Sequence, residues 1–201
     1  MPRINRRQAL KALGAAPVAA AAMTWTDADI EAASQAAQQA RQTTTRTARA
    51  YQPKFFNAHE WATVGLLANL IIPKDAKSGS ATDAAVPEFM DFMMIDQPNR
   101  QTAMRGGLAW LDDECNRRFS KTFTACADAE RKAILDDIAW PRRQIKPGYA
   151  YGVTFFNSFR DLTASGFFTS KMGMDDLQYM GNTFVTDWKG CPSEWLKKLD
   201  V

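Results

Sequence analysis

The sequence predicts an all-α protein, a single compact helical domain with an irregular C-terminal tail. Apolar residues recur at three- and four-residue spacing in successive segments, the period of a helix face turned to a core. Prolines, glycines and capping side chains punctuate those segments, and no stretch sustains the period-two alternation of strands or a strand-helix-strand rhythm. No internal repeat is visible. With 201 residues, 46% of them apolar and 23% charged, the chain has an ordinary globular composition and the length of one domain.

Residues 1–23 stand apart. Arg3, Arg6, Arg7 and Lys11 precede an uncharged, alanine-rich run over residues 12–23. As helix that run spans about 18 Å, short of the roughly 30 Å hydrocarbon layer of a bilayer, so it reads as a signal peptide and not a membrane anchor. The pair Arg6-Arg7, with Leu10 and Lys11 in register, resembles the twin-arginine export signal, although Ala9 replaces the usual bulky apolar residue. Such a signal implies delivery to the periplasm by the twin-arginine translocase, which carries folded proteins. Ala20 and Ala22 are small enough for cleavage nearby. The signal also accounts for the basic balance: there are 25 Lys and Arg against 22 Asp and Glu, and four of the cations precede Met23. The remainder is near neutral without a Lys/Arg cluster, which excludes the electrostatic footprint of a nucleic-acid-binding protein.

Residues 24–53 are polar and rich in Ala, Gln and Thr. Thr26-Asp27-Ala28-Asp29 can cap a marginal helix to about Arg41, and the threonine run beyond it suits a tether. The helical domain is expected over 54–201. Asn57 caps its first helix, 58–72, with Glu60 in the opening turn and Pro73 as the stop. Trp61, Val64, Leu67, Ala68 and Ile71 form one stripe while Leu66, Leu70 and Ile72 spread beyond it, which predicts a central, mostly buried helix. Residues 74–83 form a polar surface loop. Pro87 and Glu88 suit the first turn of a second helix, 86–97, rich in Phe and Met. A third, 99–119, carries Leu108, Leu111 and Cys115 on one face and should be interrupted or bent at Gly106-Gly107. A fourth covers 127–139. Pro141 and Pro147-Gly148 mark a connection, and an aromatic helix follows over 149–163 with Tyr149, Tyr151, Phe155, Phe156, Phe159 and Leu162. Short helical turns and the irregular tail complete the chain.

Little in these elements points to catalysis by this chain alone, and no catalytic, cofactor-binding or metal residue is assigned. His59 is the single histidine, which excludes a His-rich metal site and reads as a surface or interface residue at a helix start. Cys115, Cys126 and Cys191 lack the spacing of a zinc knuckle or of covalent haem attachment. Three is an odd number for an oxidising compartment. All three are disulfide candidates with the pairing open, and at least one is free or shared with another chain, Cys191 foremost. The signatures GxGxxG, GxxxxGK(S/T) and GxSxG are absent. Asp112-Asp113 and Asp136-Asp137 are adjacent in sequence, so they diverge around a helix as solvated faces do. Nine Met and 22 aromatic residues supply a core and, beyond it, an adaptable binding surface.

Residues 176–192 combine glycines, aromatics and a thiol without helical periodicity, and such a segment needs a surface to lie on. Tyr179, Gly181, Asn182, Trp188 and Cys191 are the expected partner interface, since Tyr and Trp anchor contacts and glycine lets backbones approach closely.

Several segments, in this order, resemble the gluconate 2-dehydrogenase subunit 3 family. They are Phe56-Asn57-Ala58-His59-Glu60 leading to Leu70-Ile71-Ile72-Pro73, then Ala84-Ala85-Val86-Pro87-Glu88-Phe89-Met90-Asp91. Residues 155–166 follow, with Gly166-Phe167-Phe168-Thr169-Ser170, Tyr179-Met180-Gly181-Asn182 and Trp188-Lys189-Gly190-Cys191-Pro192. The resemblance covers about 54–197. It implies a non-catalytic small subunit beside a flavoprotein catalytic subunit of the glucose-methanol-choline (GMC) type. That partner would hold FAD, oxidise a sugar, sugar acid or glycoside, and pass electrons to a c-type cytochrome holding haem, while this chain carries no cofactor. The resemblance further implies chaperone-like support of folding and stability, and co-export of a catalytic subunit without a signal of its own. The tether 24–53 is longer than the family pattern suggests, and the loop after Pro73 reads Lys74-Asp75-Ala76-Lys77, which leaves the substrate open. Two readings compete: a stand-alone periplasmic ligand-binding protein or enzyme acting through His59 or a carboxylate in an apolar pocket, and a purely structural escort.

Overall fold

The computed structural model describes residues 26–47, 51–140, 145–179, 181, 186–187, 190 and 193–199. Among them lie eight α-helices and no strand, so the fold is all-α. The helices are α1 (Asp27–Thr47), α2 (Ala58–Ile71), α3 (Val86–Asp96), α4 (Gln101–Phe119), α5 (Asp128–Ile138), α6 (Ala150–Phe168), α7 (Lys171–Leu177) and α8 (Ser193–Leu199). Single 3-10 turns at Pro98–Arg100 and Phe123–Ala125 lead into α4 and α5. Among the described residues no helix is long and apolar enough to cross a membrane.

The polar N-terminal segment is more ordered than its composition suggests. Thr26 and Asp29 cap α1 reciprocally, each side chain accepting the other's amide at 3.2 and 3.3 Å. The helix passes Arg41 and reaches Thr47, because packing against α3 and α6 supplies what intrinsic propensity does not. Ala33 and Ala37 are buried in that contact, and the Ser34 hydroxyl donates to the Thr169 carbonyl at 3.1 Å.

In α2 the expected cap is present: Asn57 Oδ1 accepts the Glu60 amide and Glu60 Oε2 accepts the Asn57 amide, both at 2.9 Å. Its burial is one-sided, however. Thr63, Val64, Leu67 and Ala68 are enclosed, whereas Trp61, Leu66 and Ile71 are half-buried and Leu70 is exposed. The central helix is instead α6, which touches α1 through α5 and also α7. Phe155, Phe156, Phe159, Leu162 and Phe167 all face the core from it.

Glycines set how closely α6 is approached. Gly106-Gly107 does not interrupt α4, which runs unbroken; a side chain at Gly107 would collide with the Phe155 ring. In return, a Cβ at Gly152 of α6 would stand 2.5 Å from the Trp110 ring of α4. Each helix thus lodges an aromatic ring over the other's glycine. Further along, a Cβ at Gly166 would meet Phe89 of α3 at 2.8 Å, so this glycine is a packing site inside a helix that continues past Thr163 to Phe168.

Candidate functional site

Three polar ties, two of them built on buried carboxylates, hold the domain's irregular segments. Asp91 on α3 is fully enclosed and accepts four hydrogen bonds: the Tyr51 hydroxyl at 2.8 Å and the amides of Lys54, Phe55 and Phe56 at 2.9, 2.9 and 3.2 Å. One carboxylate thereby fastens the whole entry segment 51–56. Arg105 covers it, its guanidinium 4.5 Å from the centre of the Phe55 ring and donating to the Phe55 carbonyl at 2.8 Å. Burial, and then the hydrogen bond to Asp91, raises the Tyr51 phenol above its ordinary value.

The second tie is Glu114 on α4. It accepts from Arg117 at 2.6 and 2.9 Å and from Arg118 and the Tyr149 hydroxyl, and that hydroxyl in turn accepts from both arginines. Arg118 continues to Asp137 on α5 at 2.6 Å, which Lys146 reaches at 2.6 Å from the far side. The start of α6 is thus bound to α4 and α5. Burial pushes the Glu114 carboxyl up, but the hydrogen bonds from Arg117, Tyr149 and Arg118 outweigh it and hold the group below the usual carboxylate value.

Asp112 forms the third. Its Oδ2 lies 2.5 Å from His59 Nε2, and its Oδ1 accepts the Phe123 amide at 2.8 Å. His59 is thus a surface residue at a helix start, paired with α4. The expectation that both adjacent carboxylate pairs are solvated is corrected here. Asp113 and Asp136 are exposed, but Asp112 and Asp137 turn inward and are bonded, because neighbours on a helix point about 100° apart.

Two open clefts flank the core. One, of about 550 Å³, lies between α1, the 74–83 loop and α7, with Gln38, Lys77, Asp83, Lys171 and Asp175 on its walls. The other, of about 520 Å³, is lined by Leu70, Leu135, Trp140 and Phe156, with Lys132 and Arg160 at its rim. Among the described residues no group of three or more His, Cys, Asp or Glu could hold a metal ion.

The most distinctive surface lies at the end of α6. The Ser170 hydroxyl donates to the Phe167 carbonyl at 2.6 Å and accepts the Gly173 amide at 3.1 Å, which ends α6 and starts α7 in one step. Gly173 sits so close to the Phe167 and Phe168 backbone that no side chain fits. With α7 pressed on α6 there, Met174 and Leu177 are left 41% and 58% exposed, beside Phe168 at 39% and Tyr179 at 56%. The Tyr179 amide donates to the Met174 carbonyl at 3.0 Å, which keeps the ring next to α7.

Of the residues expected from sequence to meet a partner, Tyr179 follows α7 on this surface and Gly181 is exposed. Gly181 has φ +79, a left-handed conformation that favours glycine. Asn182, Trp188 and Cys191 lie outside the described residues, as do Arg6, Arg7, Leu10 and Lys11 of the signal. Cys115 and Cys126 are both buried free thiols. Phe168, Met174 and Leu177 were not anticipated. The signal was available, since Met174 and Leu177 are three apart on a short helix, but sequence alone does not say which face of α7 meets α6.

The described part of the chain is therefore an all-α protein whose polar ties hold its own loops and which leaves Phe168, Met174, Leu177 and Tyr179 exposed where the tail begins. The chain belongs to the gluconate 2-dehydrogenase subunit 3 family, whose model matches residues 58–186. It is accordingly an accessory subunit of a dehydrogenase complex, partnered with a catalytic subunit. No curated protein and no solved structure shows a significant match.

Proposed function

We propose that this chain is the non-catalytic small subunit of a periplasmic FAD-dependent dehydrogenase acting on a sugar, sugar acid or glycoside, and that it supports the folding, stability and twin-arginine co-export of the catalytic subunit. The observation that carries the reading is the family match over 58–186. FAD belongs, on this reading, to a GMC-type flavoprotein partner and haem to a c-type cytochrome. The interface is the exposed surface of Phe168, Met174, Leu177 and Tyr179 together with the tail residues Gly181, Asn182, Trp188 and Cys191. Apolar side chains this exposed, next to a glycine-containing segment, suit a partner better than water. The basic, alanine-rich start with Arg6-Arg7 supports export by the translocase.

Expressing this chain and its neighbouring flavoprotein together and separately tests the proposal, with the visible spectrum and dye-linked sugar oxidation as readouts. A yellow, active complex obtained only from both chains supports it. Colour or turnover from this chain alone, or full activity and export of the flavoprotein without it, overturns it.

A further inference from the structure

The two described cysteines are placed as a pair. Cys115 follows Asp112 by three residues on α4, so the two share a face. Asp112 accepts the Phe123 amide at 2.8 Å and so fixes the 3-10 turn Phe123–Ala125 against that face. Arg131 of α5 holds the turn from the other side, donating to the Phe123 and Thr124 carbonyls at 3.0 and 2.8 Å. The turn closes with the Ala125 and Cys126 amides on the Thr122 carbonyl, at 3.0 and 3.1 Å. These ties bring Cys126 onto Cys115. The two thiols lie close enough to interact, Cys115 is 0% and Cys126 2% exposed, and neither is joined to another sulfur.

We propose that Cys115 and Cys126 are an intrachain disulfide site, closed when the chain meets a disulfide-bearing thiol oxidant, which leaves Cys191 as the cysteine without an internal partner. The thiolate of one cysteine attacks the oxidant's S–S bond, forming a mixed disulfide and releasing one thiol; the second cysteine then displaces the other. Two protein S–H bonds are lost and one S–S bond forms. The two electrons reduce the oxidant to two thiols, which take up the two protons. In the closed fold burial, and then the neighbouring Cys126, pushes the Cys115 thiol up to about 12, so it is a weak nucleophile there. Oxidation therefore proceeds while the 120–126 segment is open, during folding or local opening. Once formed, the bond fastens this segment covalently to α4, where hydrogen bonds and the burial of Phe123 now hold it.

The test uses the full chain, refolded from denaturant in oxidised glutathione, then denatured in an alkylating agent and digested with trypsin. Cleavage after Arg117 and Lys121 puts Cys115 and Cys126 on separate peptides. The expected result is that these two peptides are recovered linked, lighter by two hydrogens than their sum, while Cys191 is alkylated or carries glutathione. Cys191→Ser keeps the link and Cys126→Ser abolishes it. Reduction should lower the Tm of the wild-type chain by about 5–10 °C and leave that of Cys126→Ser unchanged. Alkylation of both Cys115 and Cys126 after refolding in oxidant, or linkage of either one to Cys191 in the monomer, overturns the proposal.

Discussion

The crossing of α4 and α6 and the junction of α6 with α7 use the same device to opposite ends. In both, a glycine lets two helices come closer than side chains allow. At the crossing, the space so made is filled by Phe155 and Trp110, which pack ring against backbone within the chain. At the junction, Gly173 meets bare backbone, and of the large side chains of α7 only Met172 turns to the core while Met174 and Leu177 stay exposed. Aromatic and Met content therefore does not by itself separate core from surface; what separates them is whether a complement exists in the same chain.

If that contrast holds, substitutions in the two regions should differ in kind. Phe159→Ala empties a fully buried position on α6 and should cost about 3–5 kcal/mol in urea unfolding. Asp91→Ala leaves the buried amides of Phe55 and Phe56 without an acceptor and should cost about 3 kcal/mol, with Asp91→Asn milder because one oxygen remains. A smaller effect is expected at Glu114. Its carboxyl is held below the ordinary value of 4.5, so between the two values the unfolded chain binds the proton and the folded chain does not. That stabilisation is complete above the unfolded value and is lost as pH falls through the folded one. Glu114→Gln should accordingly lower the thermal midpoint at pH 7 and flatten its decline toward acid; an equally steep decline would remove Glu114 from the explanation. On the other side of the contrast, Leu177→Ser or Tyr179→Ala should change the chain's own stability by less than about 0.5 kcal/mol while reducing recovery of the catalytic subunit. Loss of the fold with unchanged partner recovery would reverse the assignment of the two regions.

Much of the architecture was legible locally. The Asn57 cap, the Pro73 stop and the Pro87 start are properties of a few neighbouring residues, and each stands where expected. What sequence missed depends on partners far along the chain. Gly106-Gly107 reads as a hinge until Phe155 is placed over it. Asp91 looks like any acid in mid-helix, because its role lies in amides some 35 residues earlier. The stripe on α2 and the aromatics of α6 are both apolar, and only the packing decides that α6 is the centre. The apolar patch of α7 was illegible for the same reason, since Ser170 and Gly173 choose the outward face.

The reciprocal seating of Phe155 and Trp110 also has a mechanical meaning. Sliding α6 along α4 by one turn, about 5.4 Å, would bring Phe155 over Ala103 or Leu111 instead of a bare backbone, and Trp110 would lose its own gap at Gly152 in the same step. Displacement in either direction is thus opposed at two places at once, which pins the register of α6 on α4.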